Sequence, residues 1–354
     1  MSDDTETFAA YINARVRGMK SALLSSSDIS GLVDSADLKA LESALLSSPY
    51  ENEMAESMSR YEGADAVEDA VSKNLIKTFA KLKRLCAGEL GELAGIFLVR
   101  FDLISVKSLL RNQHLDLDAE TGEQSLFPGP SLTPALMREL ASLDSMDALV
   151  HGLSGWNAKL CRGLVDKLPE YQDSRNLRVL EDALDRGYFI ETVRQLENNE
   201  SENVVFLRNL LRMEIDRINL RRLFAPRAPG EEVEDVVREL LPKGALPADL
   251  IREISSAVST ERAVESLAKS AYGDMENALL VYGQTGKFAR LDRAFEIEFM
   301  ARLKRSTQQH ALSISILMLF AWMKYNEVIN IRMIARGMAI QLPKSRIEEE
   351  MVYV

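Results

Sequence analysis

The chain contains one short helical phrase three times, at nearly equal intervals. Its pattern is an acid, any residue, Ile, then Ser or Asn, an aliphatic residue, a base, any residue and an aliphatic residue. The copies read Asp102-Leu-Ile-Ser-Val-Lys107-Ser-Leu, Asp216-Arg-Ile-Asn-Leu-Arg221-Arg-Leu and Glu327-Val-Ile-Asn-Ile-Arg332-Met-Ile. Their acids lie 114 and 111 residues apart. Regular self-similarity of this kind restricts the fold to an architecture built from three similar units.

A second phrase precedes each copy of the first. Its copies read Val67-Glu-Asp-Ala70-Val, Leu180-Glu-Asp-Ala183-Leu and Leu291-Asp-Arg-Ala294-Phe. They begin 35, 36 and 36 residues before the acid of the first phrase. Two phrases kept in one register three times indicate a tandem triplication. Segments rich in Pro and Gly separate the copies, and we predict helical repeats at residues 1–125, 126–228 and 229–354.

The composition and the spacing predict an all-α fold. Ala, Leu, Glu, Arg and Met are frequent, whereas Gly and Pro number only 18 and 10, and this balance favours helices. Each repeat is expected to carry a helical hairpin, and the predicted segments are 67–86 with 92–111, 176–197 with 203–224, and 288–305 with 309–337. Gly337 is a candidate helix C-cap. A shorter helix is expected to open each repeat, at 37–46, 146–153 and 261–269. The sequence predicts no strand.

Charge and cysteine content narrow the class of function. The formal net charge of −11 argues against a large nucleic-acid surface, which would need to be basic. Two cysteines form no disulfide framework and no thiolate metal site, which suits a reduced cytosolic compartment. The first residues do not resemble a signal peptide. The longest apolar stretch, residues 311–323, is shorter than the roughly 20 residues that span a bilayer, so we expect membrane association only through a partner protein.

The triplicated phrase has a definite geometry on a helix. Residues three apart are neighbours, so the following pairs lie side by side: Asp102 with Ser105, Asp216 with Asn219, and Glu327 with Asn330. The base five residues after each acid points about 140° away at 100° per residue. Acid and base therefore need partners outside their own helix. One interpretation is that the acids tie the hairpins together while the bases are solvated. The other is that the bases Lys107, Arg221 and Arg332 line a docking surface for a partner.

One fragment that suggests metal chemistry is Glu181-Asp182-Ala-Leu-Asp185. It is similar to the acidic motif that holds magnesium in all-helical prenyl-transferring enzymes, since carboxylates on one helical face can share a metal. The fragment coincides with a copy of the second phrase, and the other two copies do not keep its acids. A solvated helix face is therefore the preferred interpretation. We predict no catalytic, cofactor or metal site, and keep a magnesium-dependent enzyme around Asp182 and Asp185 as one alternative. The other is a generic helical scaffold.

Three features together resemble a known family. They are the opening Tyr11-Ile-Asn-Ala-Arg-Val-Arg17, the triplicated phrases, and the closing Leu342-Pro-Lys-Ser-Arg-Ile-Glu348-Glu-Glu-Met-Val352. Over essentially the whole chain they resemble the C subunit of the archaeal and bacterial V-type (A-type) ATPase, the counterpart of the eukaryotic d subunit. Ser105 departs from the Asn of the later copies, and its hydroxyl can replace the amide as a polar contact.

The resemblance implies a fold and a role. In this family three similar all-helical domains surround a pseudo-threefold axis and close into a funnel without a catalytic site. The funnel lies in the central stalk, at the cytoplasmic face of the membrane. It links the rotating shaft of the soluble ATPase sector to the membrane rotor ring of proteolipid subunits, and it transmits the torque that couples ATP turnover to ion transport. The expected partners are therefore the shaft subunits and the ring, without nucleic acid, cofactor or membrane span.

Overall fold

The structure, a computed structural model, describes residues 3–86, 88–117, 129–225, 230–286, 288–310 and 313–351. Within these ranges the regular structure is helical and no residue lies in a strand, which confirms the predicted all-α class. The predicted repeat boundaries at 125/126 and 228/229 lie outside the described residues, and the threefold division stays a prediction.

In the first half, groups of two or three short helices lie between longer ones. In order, the helices are α1 (Asp3–Lys20), α2 (Ser26–Val33), α3 (Leu38–Leu46), α4 (Glu51–Ser57), α5 (Gly63–Leu85), α6 (Gly88–His114), α7 (Pro134–Ala141), α8 (Met146–Trp156) and α9 (Ala158–Ser174). In the second half the helices are α10 (Arg178–Leu196), α11 (Glu202–Leu223), α12 (Val233–Glu239), α13 (Ala248–Ser256), α14 (Thr260–Ala268), α15 (Glu276–Thr285), α16 (Phe288–Gln309), α17 (Ser315–Ala339) and α18 (Lys344–Glu350).

The chain divides into two compact units. One contains the residues up to Leu184 together with those from Ser306 onward, and the other contains Asp185–Arg305. In the first unit α17 packs against α5, and the N-terminal helices α1 and α2 also lie against α17. In the second unit α14 packs between α13 and α15. Residues far apart in sequence thus share one core in the first unit.

The three predicted pairs of long helices are present as α5 with α6, α10 with α11, and α16 with α17. Their ends lie within four residues of the predicted ends, apart from the last helix, which begins at Ser315 rather than at 309. The short helices predicted at 37–46, 146–153 and 261–269 are α3, α8 and α14. Each is capped by a side chain that accepts from a backbone N–H three residues on, and the caps are Asp37, Ser145 and Ser259.

The prediction that Gly337 caps a helix was wrong. Helix α17 continues to Ala339, and the residue that turns into the left-handed region is Gln341, with φ 56°. A Cβ at Gly337 would lie 2.6 Å from Cδ1 and 2.7 Å from Cγ1 of Ile347. Gly337 is therefore explained by the close approach of α18 to α17 rather than by chain reversal.

Aromatic side chains fill the core of the first unit. The ring of Phe101 on α6 lies 5.0 Å from the ring of Phe79 on α5 and 4.7 Å from that of Tyr325 on α17. The guanidinium of Arg100 lies 4.2 Å from the ring centroid of Trp322, within range of a cation–π contact. These contacts fix three long helices from distant parts of the chain against one another.

Among the described residues, none of the helices combines the length and the apolar character needed to cross a bilayer.

Candidate functional site: junctions built on the repeated acids and bases

The acid of the first copy holds the segment that leads into α7. Asp102 on α6 is fully buried, and its Oδ1 accepts hydrogen bonds from the backbone N–H of Ser131 at 2.8 Å and of Leu132 at 3.1 Å. Leu132 directly precedes Thr133, the N-cap of α7. A carboxylate at a helix N-terminus satisfies free N–H groups and faces the positive end of the helix dipole. Asp102 thus fixes where α7 begins relative to α6.

The acid of the second copy makes the same contact at the same sequence distance. Asp216 on α11 is fully buried and accepts from the backbone N–H of Ala245 at 2.9 Å and of Leu246 at 3.1 Å. These amides lie 29 and 30 residues after the acid, as they do after Asp102. Leu246 directly precedes Pro247, the N-cap of α13. The hydroxyl of Tyr272 also donates to Asp216, at 2.6 Å.

The acid of the third copy reaches the beginning of the chain. Glu327 on α17 accepts from the backbone N–H of Leu24 at 2.5 Å, and Leu24 directly precedes Ser25, the N-cap of α2. The hydroxyl of Tyr50 donates to the same carboxylate at 2.6 Å, and the ammonium of Lys324 donates to it at 2.8 Å. All three polar side chains are buried. We call the contact of each repeated acid with its loop a junction, numbered by the copy that supplies the acid. The third junction therefore joins the last part of the chain to the first.

Glycines let the backbone approach the two aspartates. A Cβ at Gly129 would lie 2.1 Å from Oδ1 of Asp102, and a Cβ at Gly244 would lie 2.1 Å from Oδ1 of Asp216, both far inside van der Waals contact. The residue two before the donating leucine is Gly244 at the second junction and Ala22 at the third. There the longer side chain of Glu327 spans the gap. Each aspartate thus faces a glycine, which lies three residues before the donating leucine at the first junction and two residues before it at the second.

The junctions differ in whether a tyrosine completes the acid. Tyr50 and Tyr272 each lie 26 residues after the donating leucine, whereas the residue 26 after Leu132 is Ala158. Correspondingly, Oδ2 of Asp102 is buried without a hydrogen-bond partner among the residues that the structure describes. The sequence analysis did not identify these two tyrosines. Their fixed distance from a leucine that precedes a helix cap was the signal that could have identified them.

Burial changes the acid–base properties of these groups. Loss of hydration raises the pKa of Asp216 to about 6, against the opposing effect of its hydrogen bonds from Tyr272 and the two amides. Burial likewise raises the pKa of Asp102. For Lys324, burial lowers the pKa, since the charged ammonium is the form that loses hydration. The attraction of Glu327 opposes that shift.

The polar residues three positions after the acids are buried as well. Asn219 forms a pair of hydrogen bonds with the backbone of Leu241, donating to its carbonyl at 2.9 Å and accepting from its N–H at 2.8 Å. Ser105 donates to the carbonyl of Phe101 on its own helix at 3.3 Å. Asn330 is buried on α17. The side-chain amide of Asn219 therefore fixes Leu241, which lies a few residues before the backbone amides that Asp216 binds.

The bases after the acids pair with the second repeated phrase. Arg332 donates to Glu68 at 2.8 Å, and Arg336 donates to it at 2.7 Å. In the second unit Arg217 donates to Asp292 at 3.0 Å, and Arg221 contacts the same carboxylate. In the first copy, Arg111 donates to Glu181 at 2.7 Å. Glu68, Asp292 and Glu181 all stand second in their phrase, a correspondence that the sequence analysis missed.

These ion pairs run in a consistent direction along the repeats. The helix with the first copy of the acid phrase binds the second copy of the other phrase, through Arg111 and Glu181. In the same way Arg217 of the second copy binds Asp292 of the third, and Arg332 of the third copy binds Glu68 of the first. Arg332 is buried in its pair with Glu68, whereas more than half of the side chain of Arg221 is exposed and Lys107 is half-buried. The docking role of Lys107, Arg221 and Arg332 stays a prediction.

The acidic fragment around Asp182 and Asp185 is engaged in ion pairing. Arg111 binds Glu181, and the guanidinium of Arg178 lies 3.4 Å from the carboxylate of Asp182. Among the residues that the structure describes, no group of three or more His, Cys, Asp or Glu side chains is placed to hold a metal ion.

Comparison with known proteins identifies the relatives of the chain. The family model described as ATP synthase (C/AC39) subunit matches residues 12–350. The C subunit of the A-type ATP synthase of Methanosarcina acetivorans is 28% identical over 356 residues, covering 98% of this chain and 93% of that protein. The proteins of the same name are 29% identical in Methanococcoides burtonii, over 97% and 94% of the two chains, and 24% identical in Methanocaldococcus jannaschii, over 93% and 82%.

We predict that Gly244→Ala destabilises the second unit by more than about 2 kcal/mol, because the new methyl group would displace Asp216 or the loop. Chemical unfolding measures the change. Gly95→Ala is the matched control, since Gly95 lies inside α6 and a Cβ added there would have no atom within 4 Å. That substitution should be neutral or stabilising by up to about 1 kcal/mol. Equal effects of the two substitutions would contradict the close contact at Asp216.

The pKa of Asp216 predicts how stability depends on pH. Its folded-state pKa of about 6 lies above the unfolded value of about 3.9, so the folded state binds this proton more tightly. The resulting stability is present below pH 4 and is lost as the pH rises through 6. Asp216→Asn removes this titration. The unfolding free energy of the parent relative to the variant should fall by about 2–3 kcal/mol between pH 4 and pH 7, and a flat or rising difference would show that Asp216 does not titrate in this way.

Proposed function

The chain belongs to the ATP synthase (C/AC39) subunit family, and from this premise we propose that it is a non-catalytic central-stalk subunit of an A-type ATP synthase. In this role it links the rotating shaft of the soluble sector to the proteolipid ring in the membrane and transmits torque between them. The proposal rests on the family match, which covers residues 12–350 and thus nearly the whole chain. The chain would lie peripherally, at the cytoplasmic face of the membrane.

The junctions supply the rigidity that such a connector needs. Each carboxylate fixes the start of a short helix through backbone amides, and the ion pairs hold the same long helices from another direction. Close-packed interiors with fixed hydrogen bonds deform little under load. Within each compact unit, an applied torque would therefore cause little internal twist.

Exposed aliphatic side chains at two corresponding helix ends offer a surface for the ring. After α6, Leu115 and Leu117 are 64% and 37% exposed, and after α17 Ile340 and Leu342 are 69% and 46% exposed. In both places the residue between them has a left-handed backbone, Asp116 with φ 51° and Gln341 with φ 56°. These two similar apolar surfaces suit a partner that presents the same binding site repeatedly, because several linked contacts bind far more tightly than a single one.

Co-purification tests the proposed function. A tagged parent chain, expressed in its native host and recovered from detergent-solubilised membranes, should bring down both the shaft subunits and the proteolipid subunit, identified by mass spectrometry. The double substitution Leu115→Asp with Ile340→Asp should reduce recovery of the proteolipid subunit at least tenfold. Val258→Asp is the control, because Val258 is 94% exposed on a different loop. Recovery of neither partner by the folded parent chain would overturn the proposal.

A charge swap separates the two roles of the bases. Charge reversal at Lys107, Arg221 and Arg332 should weaken shaft binding if these bases dock the shaft, since electrostatic contacts set association and register. Arg332→Glu alone also leaves Glu68 facing another acid, which should lower the melting temperature. Adding Glu68→Arg together with Arg336→Glu reverses every charge of this cluster and so restores its internal attraction. If shaft affinity and melting temperature then both recover, Arg332 serves the junction; if only the melting temperature recovers, Arg332 serves the shaft.

A further inference from the structure

The third junction has the same hydrogen-bond plan as the first two but a different connection through the chain. Asp102 and Asp216 hold amides that lie 29 and 30 residues further along, whereas Glu327 holds the amide of Leu24, which is 303 residues away. A short stretch of chain therefore ties each aspartate to the loop it binds. Glu327 and Leu24 have no such local tether, and only non-covalent contacts keep them together.

We define the N-terminal strap as residues 12–33, which include part of α1 and all of α2. Its buried side chains Ile12, Val16, Ile29, Leu32 and Val33 accompany the packing of α1 and α2 against α17. Two polar contacts add to this packing, Leu24 to Glu327 at 2.5 Å and Lys344 to Asp34 at 3.3 Å just beyond the strap. A segment without a local tether remains ordered only where such contacts hold it, because it gains conformational entropy on release.

The contact at the third junction is also built differently. At the first two junctions a glycine brings the loop backbone so close to a short aspartate that no Cβ fits. At the third junction a longer glutamate bridges to a loop that carries Ala22. The third junction therefore relies on one long side chain, whereas the first two also rely on the close fit of a glycine against the aspartate.

The third junction adds a buried cation that the first two junctions lack at the corresponding position. Three residues before the acid, the first two copies have Val99 and Met213, and the third has Lys324. The ammonium of Lys324 lies 2.8 Å from Glu327 and 2.9 Å from the hydroxyl of Tyr50, and all three side chains are buried. Water hydrates such charges well once they are exposed, which offsets much of the attraction lost on opening. Apolar side chains at the same position gain no such compensation.

From these three observations we infer that Glu327, Lys324 and Tyr50 form an ionic latch that holds the N-terminal strap on α17 and allows it to detach while the rest of the fold stays intact. The latch is the point where the last part of the chain is joined to the first. Its release would free the N-terminal strap from α17, while the pair of Arg332 with Glu68 and the packing of α17 against α5 stay in place. This conformational step does not depend on the proposed function, because it follows from the contacts alone.

Hydrogen exchange of three equivalent amides tests the latch. Leu24, Leu132 and Leu246 each donate the corresponding backbone N–H to a buried acid, so they report on the three junctions in one experiment. In the full-length chain at neutral pH, read out by NMR or by mass spectrometry with fragmentation to single residues, Leu24 should exchange at least tenfold faster than the other two. Protection of Leu24 equal to or greater than that of both others would overturn the inference.

A substitution in the latch makes the test specific. Lys324→Met introduces the residue of the second copy and leaves Glu327 without its cation, so it should accelerate exchange at Leu24 at least tenfold while Leu246 keeps its protection. Val99→Met, at the corresponding position of the first copy, is the control and should leave Leu24 unchanged. Equal acceleration of all three amides by Lys324→Met would mean global unfolding rather than release of the strap, and would overturn the latch.

Discussion

The fold depends on a buried carboxylate that accepts backbone N–H groups at the start of a short helix. Asp102 and Asp216 do this with the same offsets along the chain, and Glu327 does it across the length of the chain. An unpaired buried carboxylate is costly, so each acid requires its loop as much as the loop requires the acid. This mutual requirement explains why the acids recur at nearly constant spacing.

The ion pairs contribute unequally to the same connections. Arg111 and Arg221 are more than half exposed, and exposed pairs of this kind contribute about 1 kcal/mol or less. The pair of Arg332 with Glu68 is buried, and removing one partner of a buried pair costs about 3–5 kcal/mol. The ion pair that costs most to break therefore lies between α17 and α5, two helices that no short stretch of chain connects.

The sequence predicted the helices well because their signals are local. Capping residues such as Ser145 and Ser259, and apolar residues at helical spacing, act within one or two turns. The partners of the acids and bases were not predicted, because Tyr272 and Glu68 lie tens to hundreds of residues from the groups they bind. Gly337 was misread for a related reason. Its role is set by Ile347 of a neighbouring helix, and periodicity along one helix carries no information about such a neighbour.

The placement of acid and base on one helix has a mechanical consequence. Five residues separate Asp216 from Arg221 and Glu327 from Arg332, which sets the two side chains about 140° apart around the helix axis. The acid is held by backbone amides, and the base is held by a carboxylate on another helix. A helix fixed from two nearly opposite sides resists rotation about its own axis as well as displacement. For a protein proposed to pass torque, resistance to that rotation is the property on which the transmission of force through each junction depends.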